Sequence, residues 1–184
     1  MKIQKSIIII VDVRQHAGSQ NGDPHSMLEA ETTHSELMQT IAHEFTAPVK
    51  LNKLMGDTAI FFAPVDNGNE SDVAKKIFHQ AISAFRAFNK KNDQLGMDGL
   101  ALKMFIHSGN IVEKQLLNKI ELSGDELIIA NRLLRKNSIQ SHQYISMSDK
   151  YYQSIKNEFT QNLDMKLERV ESFGLVSVAV LHND

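Results

Sequence analysis

Val49-Lys50-Leu51-Asn52-Lys53-Leu54-Met55-Gly56-Asp57-Thr58-Ala59-Ile60-Phe61-Phe62-Ala63 reads as two strands folded back on each other. Gly56-Asp57 is the kind of two-residue connection that closes a tight β-hairpin. Upstream, Ile7-Ile8-Ile9-Ile10-Val11 is continuously apolar and β-branched, which predicts a strand covered on both faces. Arg14 to Ser26, with Gly18, Gly22 and Pro24, reads as a loop. Met27 to Phe45 reads as a helix with Met38, Ile41 and Phe45 on one side, ended by Pro48. Downstream, Asp66 to Ser71 is a second loop. Val73, Ile77, Ala81, Phe85 and Phe88 then mark a long amphipathic helix. Leu100 to His107 reads as a strand, with Gly109 bending the chain after it.

The order up to this point is β-α-β-β-α-β, the ferredoxin-like arrangement. It predicts an α+β fold with an antiparallel central sheet, in which the first strand lies beside the hairpin. Ser123 and Asp125 are candidate caps for a further helix carrying Leu127, Ala130 and Leu134 inward. A short strand at Tyr144 to Met147, a helix at Tyr151 to Phe159, and strands at Met165 to Val170 and Leu175 to Leu181 extend the core with a C-terminal helix and β-hairpin. The 184 residues suit one domain spanning 1–184, with 42% hydrophobic and 23% charged residues in ordinary globular proportion.

Twenty Lys and Arg against 22 Asp and Glu leave a net charge of −2, without the basic stripe of a nucleic-acid binder. The absence of cysteine excludes disulfides and thiolate metal sites and fits a reducing compartment. The apolar run at Ile7 to Val11 is too short to span a membrane. Asp12 interrupts it and no small-residue cleavage site follows, so a signal peptide is rejected and a cytoplasmic location expected. The eight histidines are scattered. His34 and His43 stand nine apart on one helix and lack the i, i+4 spacing of a paired metal site.

The chemistry concentrates on two carboxylates. The expected topology puts Asp12, at the end of the first strand, and Asp57, at the hairpin tip, at one edge of the sheet. Two converging carboxylates on a rigid sheet suit Mg²⁺ or Mn²⁺, ions that neutralise a triphosphate. Around them, the chain resembles the catalytic domain of class III nucleotidyl cyclases, the adenylate and guanylate cyclase superfamily. The resemblance runs from about Ile7 to Leu181. It rests on Ile10-Val11-Asp12-Val13, on Lys53-Leu54-Met55-Gly56-Asp57 (the K-x-x-G-D hairpin) and on His107-Ser108-Gly109 (the H-x-G strand end). The fourth motif is Gly124-Asp125-Glu126-Leu127-Ile128-Ile129-Ala130-Asn131-Arg132, which is similar to a G-x-x-V-N-x-A-x-R helix. The segment from Leu122 to Ser148 is closest to an uncharacterised bacterial cyclase-like family, which brings no activity with it.

The resemblance implies Asp12, Asp57 and the Val13 carbonyl as ligands of a two-ion Mg²⁺ or Mn²⁺ site. It implies Lys53 and Glu121 as readers of the base, with ATP favoured, and Arg132 as the cation that stabilises charge on the phosphates. The implied reaction converts a nucleoside triphosphate to a cyclic mononucleotide, with pyrophosphate leaving. A site shared across a homodimer is implied as well, with no nucleic acid and no membrane among the partners. Three positions depart from the pattern. Arg14-Gln15-His16-Ala17 stands where the family has x-x-G-F-[ST], Ile128 stands where it has the ribose-orienting Asn, and Glu171 or Ser172 where it has a second Lys. These departures support an alternative, a catalytically degenerate cyclase-like domain that binds a nucleotide or a protein partner as a sensor or regulator.

Overall fold

The computed structural model describes residues 1–15, 24–66, 68–96, 100–117, 119–135, 143–156, 163–170 and 174–181. Its elements run β1 (Lys2–Gln15), α1 (Pro24–Glu44), β2 (Lys50–Met55), β3 (Thr58–Pro64), α2 (Glu70–Leu95), β4 (Leu100–Leu116), β5 (Lys119–Ser123), α3 (Asp125–Arg135), β6 (Tyr144–Ser148), α4 (Asp149–Ile155), β7 (Leu163–Val170) and β8 (Gly174–Leu181). One sheet holds the strands in the order β2-β3-β1-β4-β6-β8-β7, with β5 paired to the far end of β4. The stretch β2-β3-β1-β4 is antiparallel throughout and has the ferredoxin-like order expected from the sequence. β6 lies parallel to β4, and the β7–β8 hairpin completes that side.

The isoleucine run is apolar at every position because the sheet is covered on both faces. Side chains alternate across a strand. Ile7, Ile9, Val11 and Val13 therefore face a core built with Leu37 and Ile41 of α1, Ile77 and Phe85 of α2, and Tyr151 and Ile155 of α4. Ile8 and Ile10 face a smaller core built with Ile129, Ala130, Leu133 and Leu134 of α3. Burying a Leu, Ile or Phe side chain is worth about 1.5–3 kcal/mol, so these two layers carry most of the stabilisation of the central strand. The Tyr151 hydroxyl ties α4 to α2 by donating to the Ala74 carbonyl at 2.8 Å. Burial pushes its phenol pKa up.

Several boundaries differ from the sequence expectation. β1 runs on to Gln15, because Arg14 and Gln15 still pair with Ala101 and Leu100; the rest of the predicted loop, from 16 to 23, lies outside the described residues. The first helix begins at Pro24 rather than Met27. The chain is not bent at Gly109: β4 continues to Leu116, held first by β1 down to Lys2↔Glu113 and then by β5. β5 itself was not anticipated. The last helix starts at Asp149, capped by the Ser148 side chain accepting from the Tyr151 amide, and its expected end at Phe159 lies outside the described residues.

Candidate functional site

The turn at Gly56-Asp57 closes the β2–β3 hairpin, and Gly56 takes φ 58, a conformation that a side chain disfavours. The register then brings Thr58 opposite Asp12. Asp12 follows Ile8 and Ile10 on the α3 side of the sheet but lies beyond the apolar cover, at 2% exposure. The Thr58 hydroxyl donates to Oδ1 of Asp12 at 2.8 Å. The same hydroxyl lies 3.3 Å from Oδ1 of Asp57, so it stands between the two carboxylates. The Val13 amide donates to the Asp57 carbonyl at 2.9 Å. In an antiparallel strand the N–H and C=O of one residue point to the same side, so the Val13 carbonyl also faces the hairpin.

Among the described residues there is no cluster of three or more His, Asp or Glu side chains able to hold a metal. Two carboxylates and one carbonyl still fit Mg²⁺, which keeps several waters and takes its other ligands from phosphates rather than from an all-protein cage. The donor set is all oxygen, which suits a hard cation.

The sequence reading missed two cations beside Asp12. Arg14 pairs through Nε with Oδ2 of Asp12. The signal was present, because residues i and i+2 of a strand share a face, but it was hidden by reading Arg14 as loop. Lys103 is the register partner of Asp12 on β4, on the same face, with its ammonium 5.5 Å from the centre of the Tyr144 ring.

The other sequence-derived candidates lie farther out. Lys53 is exposed on β2 opposite Ile60, and thus on the Asp12 face. Glu121 is exposed on β5. The Asn52 side chain donates to the Ile120 carbonyl at 2.9 Å, which joins β2 to β5 next to both residues. Arg132 is on the outer face of α3 with Ile128, which is 45% exposed, while Ile129, Ala130, Leu133 and Leu134 face the core. Glu171 and Ser172 lie outside the described residues.

A second polar cluster lies at the middle of β4. His107 is 2% exposed, and its Nε2 lies 2.7 Å from Oε2 of Glu126. Lys150 donates to Oε1 of the same carboxylate at 2.6 Å. The hydrogen bond from His107, and then that from Lys150, outweigh burial and hold the Glu126 carboxyl at about 2. Gly109 explains the close approach: a Cβ there would stand 2.6 Å from Glu126 Cγ. The H-x-G motif, in mid-strand, is thus a seat for the first turn of α3. Nearby, Glu70 accepts from Lys5 at 2.5 Å and from Ser108 at 2.9 Å. Burial raises its pKa, but these two partners outweigh it and leave the carboxyl lowered. Lys5, Glu70, Ser108, Glu126 and Lys150 line a cleft of about 330 Å³ between β1, β4, α2, α3 and α4.

A family model described as "Protein of unknown function (DUF2652)" matches residues 34–144. A relative from Mycobacterium tuberculosis, "Uncharacterized protein Rv2561/Rv2562", is 32% identical over 110 residues, 55% of this chain and 50% of that protein. The chain thus spans about half the length of this curated relative. Among solved structures, the adenylyl cyclase CyaB from P. aeruginosa superposes with a TM-score of 0.72 at 15% identity, covering 100% of this chain and 96% of that one. The guanylyl cyclase Cya2 gives 0.75 at 16% identity over 97% and 92%. The guanylate cyclase domain of RhGC from Catenaria anguillulae, solved in complex with GTP, gives 0.66 at 16% identity over 98% and 97%. At these identities the likeness establishes the fold, which is that of class III cyclase catalytic domains.

Proposed function

The chain belongs to the DUF2652 family, and on that premise we propose that it is a divalent-metal-dependent nucleotidyl cyclase-like protein that converts a nucleoside triphosphate, ATP by preference, to a cyclic mononucleotide and pyrophosphate. The observation that carries this reading is the pair of carboxylates, Asp12 and Asp57, on either side of one Thr58 hydroxyl at the end of β1. Asp12, Asp57 and the Val13 carbonyl would hold Mg²⁺ or Mn²⁺. A bound ion there neutralises the triphosphate and stabilises charge on the attacking and leaving oxygens.

The protein's own groups supply position and charge. Lys53 and Glu121, beside the Asn52–Ile120 bond, would read the base. Lys103, on the Asp12 face, adds positive charge where the phosphates would lie. Arg132, on the outer face of α3, would act in a site completed by a second copy of the chain, so the reading includes a homodimer. Residues 1–184 would form one cyclase-like domain. No described helix is long and apolar enough to cross a membrane, and the reading places the protein in the cytoplasm.

The test is direct. Purified protein is incubated with each of the four nucleoside triphosphates and Mn²⁺, beside Asp57→Ala. Cyclic product from the wild type and none from the variant is expected. No product from any triphosphate, with Mn²⁺ binding unchanged in Asp57→Ala, sinks the reading.

One observation favours the alternative of a degenerate domain. The exposed position one helical turn before Arg132 is occupied by Ile128, which cannot donate a hydrogen bond to a ribose. Calorimetry with a non-hydrolysable triphosphate separates the two: tight binding without turnover supports a sensor.

A further inference from the structure

Both oxygens of the Asp12 carboxylate already have partners inside the chain. Oδ1 accepts from the Thr58 hydroxyl at 2.8 Å. Oδ2 takes the Nε–H of Arg14, two residues on and on the same face of β1. The asymmetry between the ion-paired side chains is large: Asp12 is 3% exposed and Arg14 44% exposed. The carboxylate cannot move away, since it sits on a central strand between β3 and β4. The guanidinium can, because the Arg14 side chain is partly open to solvent. A divalent ion approaching Oδ2 meets a positive charge of the protein in the place it needs, and two cations on one carboxylate oxygen repel.

We propose that Arg14 is a built-in counter-ion of Asp12, which balances the buried carboxylate when the metal is absent and competes with the divalent ion for it. The proposal rests on the reading of Asp12 and Asp57 as a metal site. Loading that site requires Arg14 to leave Oδ2. Metal affinity is therefore set below what the oxygen ligands alone would give, and the site resists filling by a bare ion. The displaced guanidinium remains tethered beside the site, where a polyphosphate arriving with the metal offers it a new charge-assisted partner. Arg14 thus favours loading with metal and triphosphate together over loading with metal alone.

The experiment is a Mn²⁺ titration followed by the electron paramagnetic resonance signal of the free ion. It uses the full chain as wild type, Arg14→Gln and Arg14→Lys, without nucleotide. Arg14→Gln should bind Mn²⁺ at least about tenfold more tightly, since no positive charge of the protein then competes for Oδ2. Arg14→Lys retains the charge and should resemble the wild type. Equal or weaker binding by Arg14→Gln overturns the counter-ion role while leaving the metal site standing. Absence of Mn²⁺ binding in both wild type and Arg14→Gln overturns the metal reading and the counter-ion with it. Should Arg14→Gln fold only with metal, Mn²⁺ added during refolding should restore its circular dichroism, and failure to do so also overturns the proposal.

Discussion

Thr58 and Asp12 face each other across the β1–β3 ladder, and the hydroxyl of one holds the buried carboxylate of the other at 2.8 Å. The pair fixes where Asp12 presents its remaining lone pairs. It also ties the hairpin tip, with Asp57, to the end of the central strand. Thr58→Val keeps the branched shape and removes the donor. It leaves Oδ1 buried without a partner, which should cost about 1–3 kcal/mol. The urea midpoint of the metal-free protein should fall with an unchanged denaturant slope, and Mn²⁺ binding should weaken in parallel. A Thr58→Val protein as stable as wild type would mean that the hydroxyl is not needed to hold Asp12.

Much of this arrangement was legible in the sequence. The isoleucine run and the turn at Gly56-Asp57 are local signals, and the structure keeps both. What escaped depends on pairing between distant segments. Lys119–Ser123 alternates polar and apolar residues but is only five residues long and mostly exposed, and it is a strand because β4 extends past Gly109 to receive it. Arg14 reads as loop in a polar stretch, yet pairing with Ala101 keeps it in β1 and so places it beside Asp12. The role of Gly109 was misread for the same reason. Its lack of a side chain serves Glu126, a residue 17 positions away in sequence, and not a bend.

The His107–Glu126 contact makes stability depend on acid pH in a defined direction. The Glu126 carboxyl ionises at about 2 in the fold against an ordinary 4.5. A depressed folded pKa contributes stability that is present above 4.5 and is lost as pH falls through 2. Glu126→Gln should lower stability by about 1–2 kcal/mol at neutral pH, the scale of a hydrogen bond to a charged group. The gap between variant and wild type should close between pH 4.5 and 2. Urea midpoints measured across that range check it, and a constant gap would rule out Glu126 as the titrating group.

Gly109→Ala tests the seat beneath the first turn of α3. The added methyl would lie 2.6–2.9 Å from three carbons of the Glu126 side chain, too close for both to stay. Displacing Glu126 breaks its bond with His107, for an expected loss of about 1–3 kcal/mol. The cost should shrink when Glu126 is first shortened to Ala, because only its Cβ, at 2.9 Å, then still crowds the methyl. A double-mutant cycle measures this coupling. Additive costs would show that Gly109 is required for some reason other than Glu126.

Ile128→Asn addresses turnover. Ile128 is 45% exposed on the outer face of α3, so replacing it removes little buried apolar surface. Surface changes of this kind stay within about 0.5 kcal/mol of wild-type stability. Its side chain lies one helical turn from Arg132, on the face that a second copy of the chain would meet in the proposed homodimer. An amide there can donate to a ribose oxygen, which an isoleucine cannot. A single well-placed donor contributes about 3 kcal/mol to a transition state, or on the order of a hundredfold in rate. If the Asp12–Asp57 edge supports catalysis, Ile128→Asn should raise cyclic nucleotide formation by at least about tenfold with no change in melting temperature. The gain should vanish in Ile128→Asn/Asp57→Ala, because the new donor orients the ribose but cannot replace the metal ligand. A stable Ile128→Asn protein that binds triphosphate and Mn²⁺ yet forms no product would favour the sensor, since restoring the missing donor would not restore chemistry.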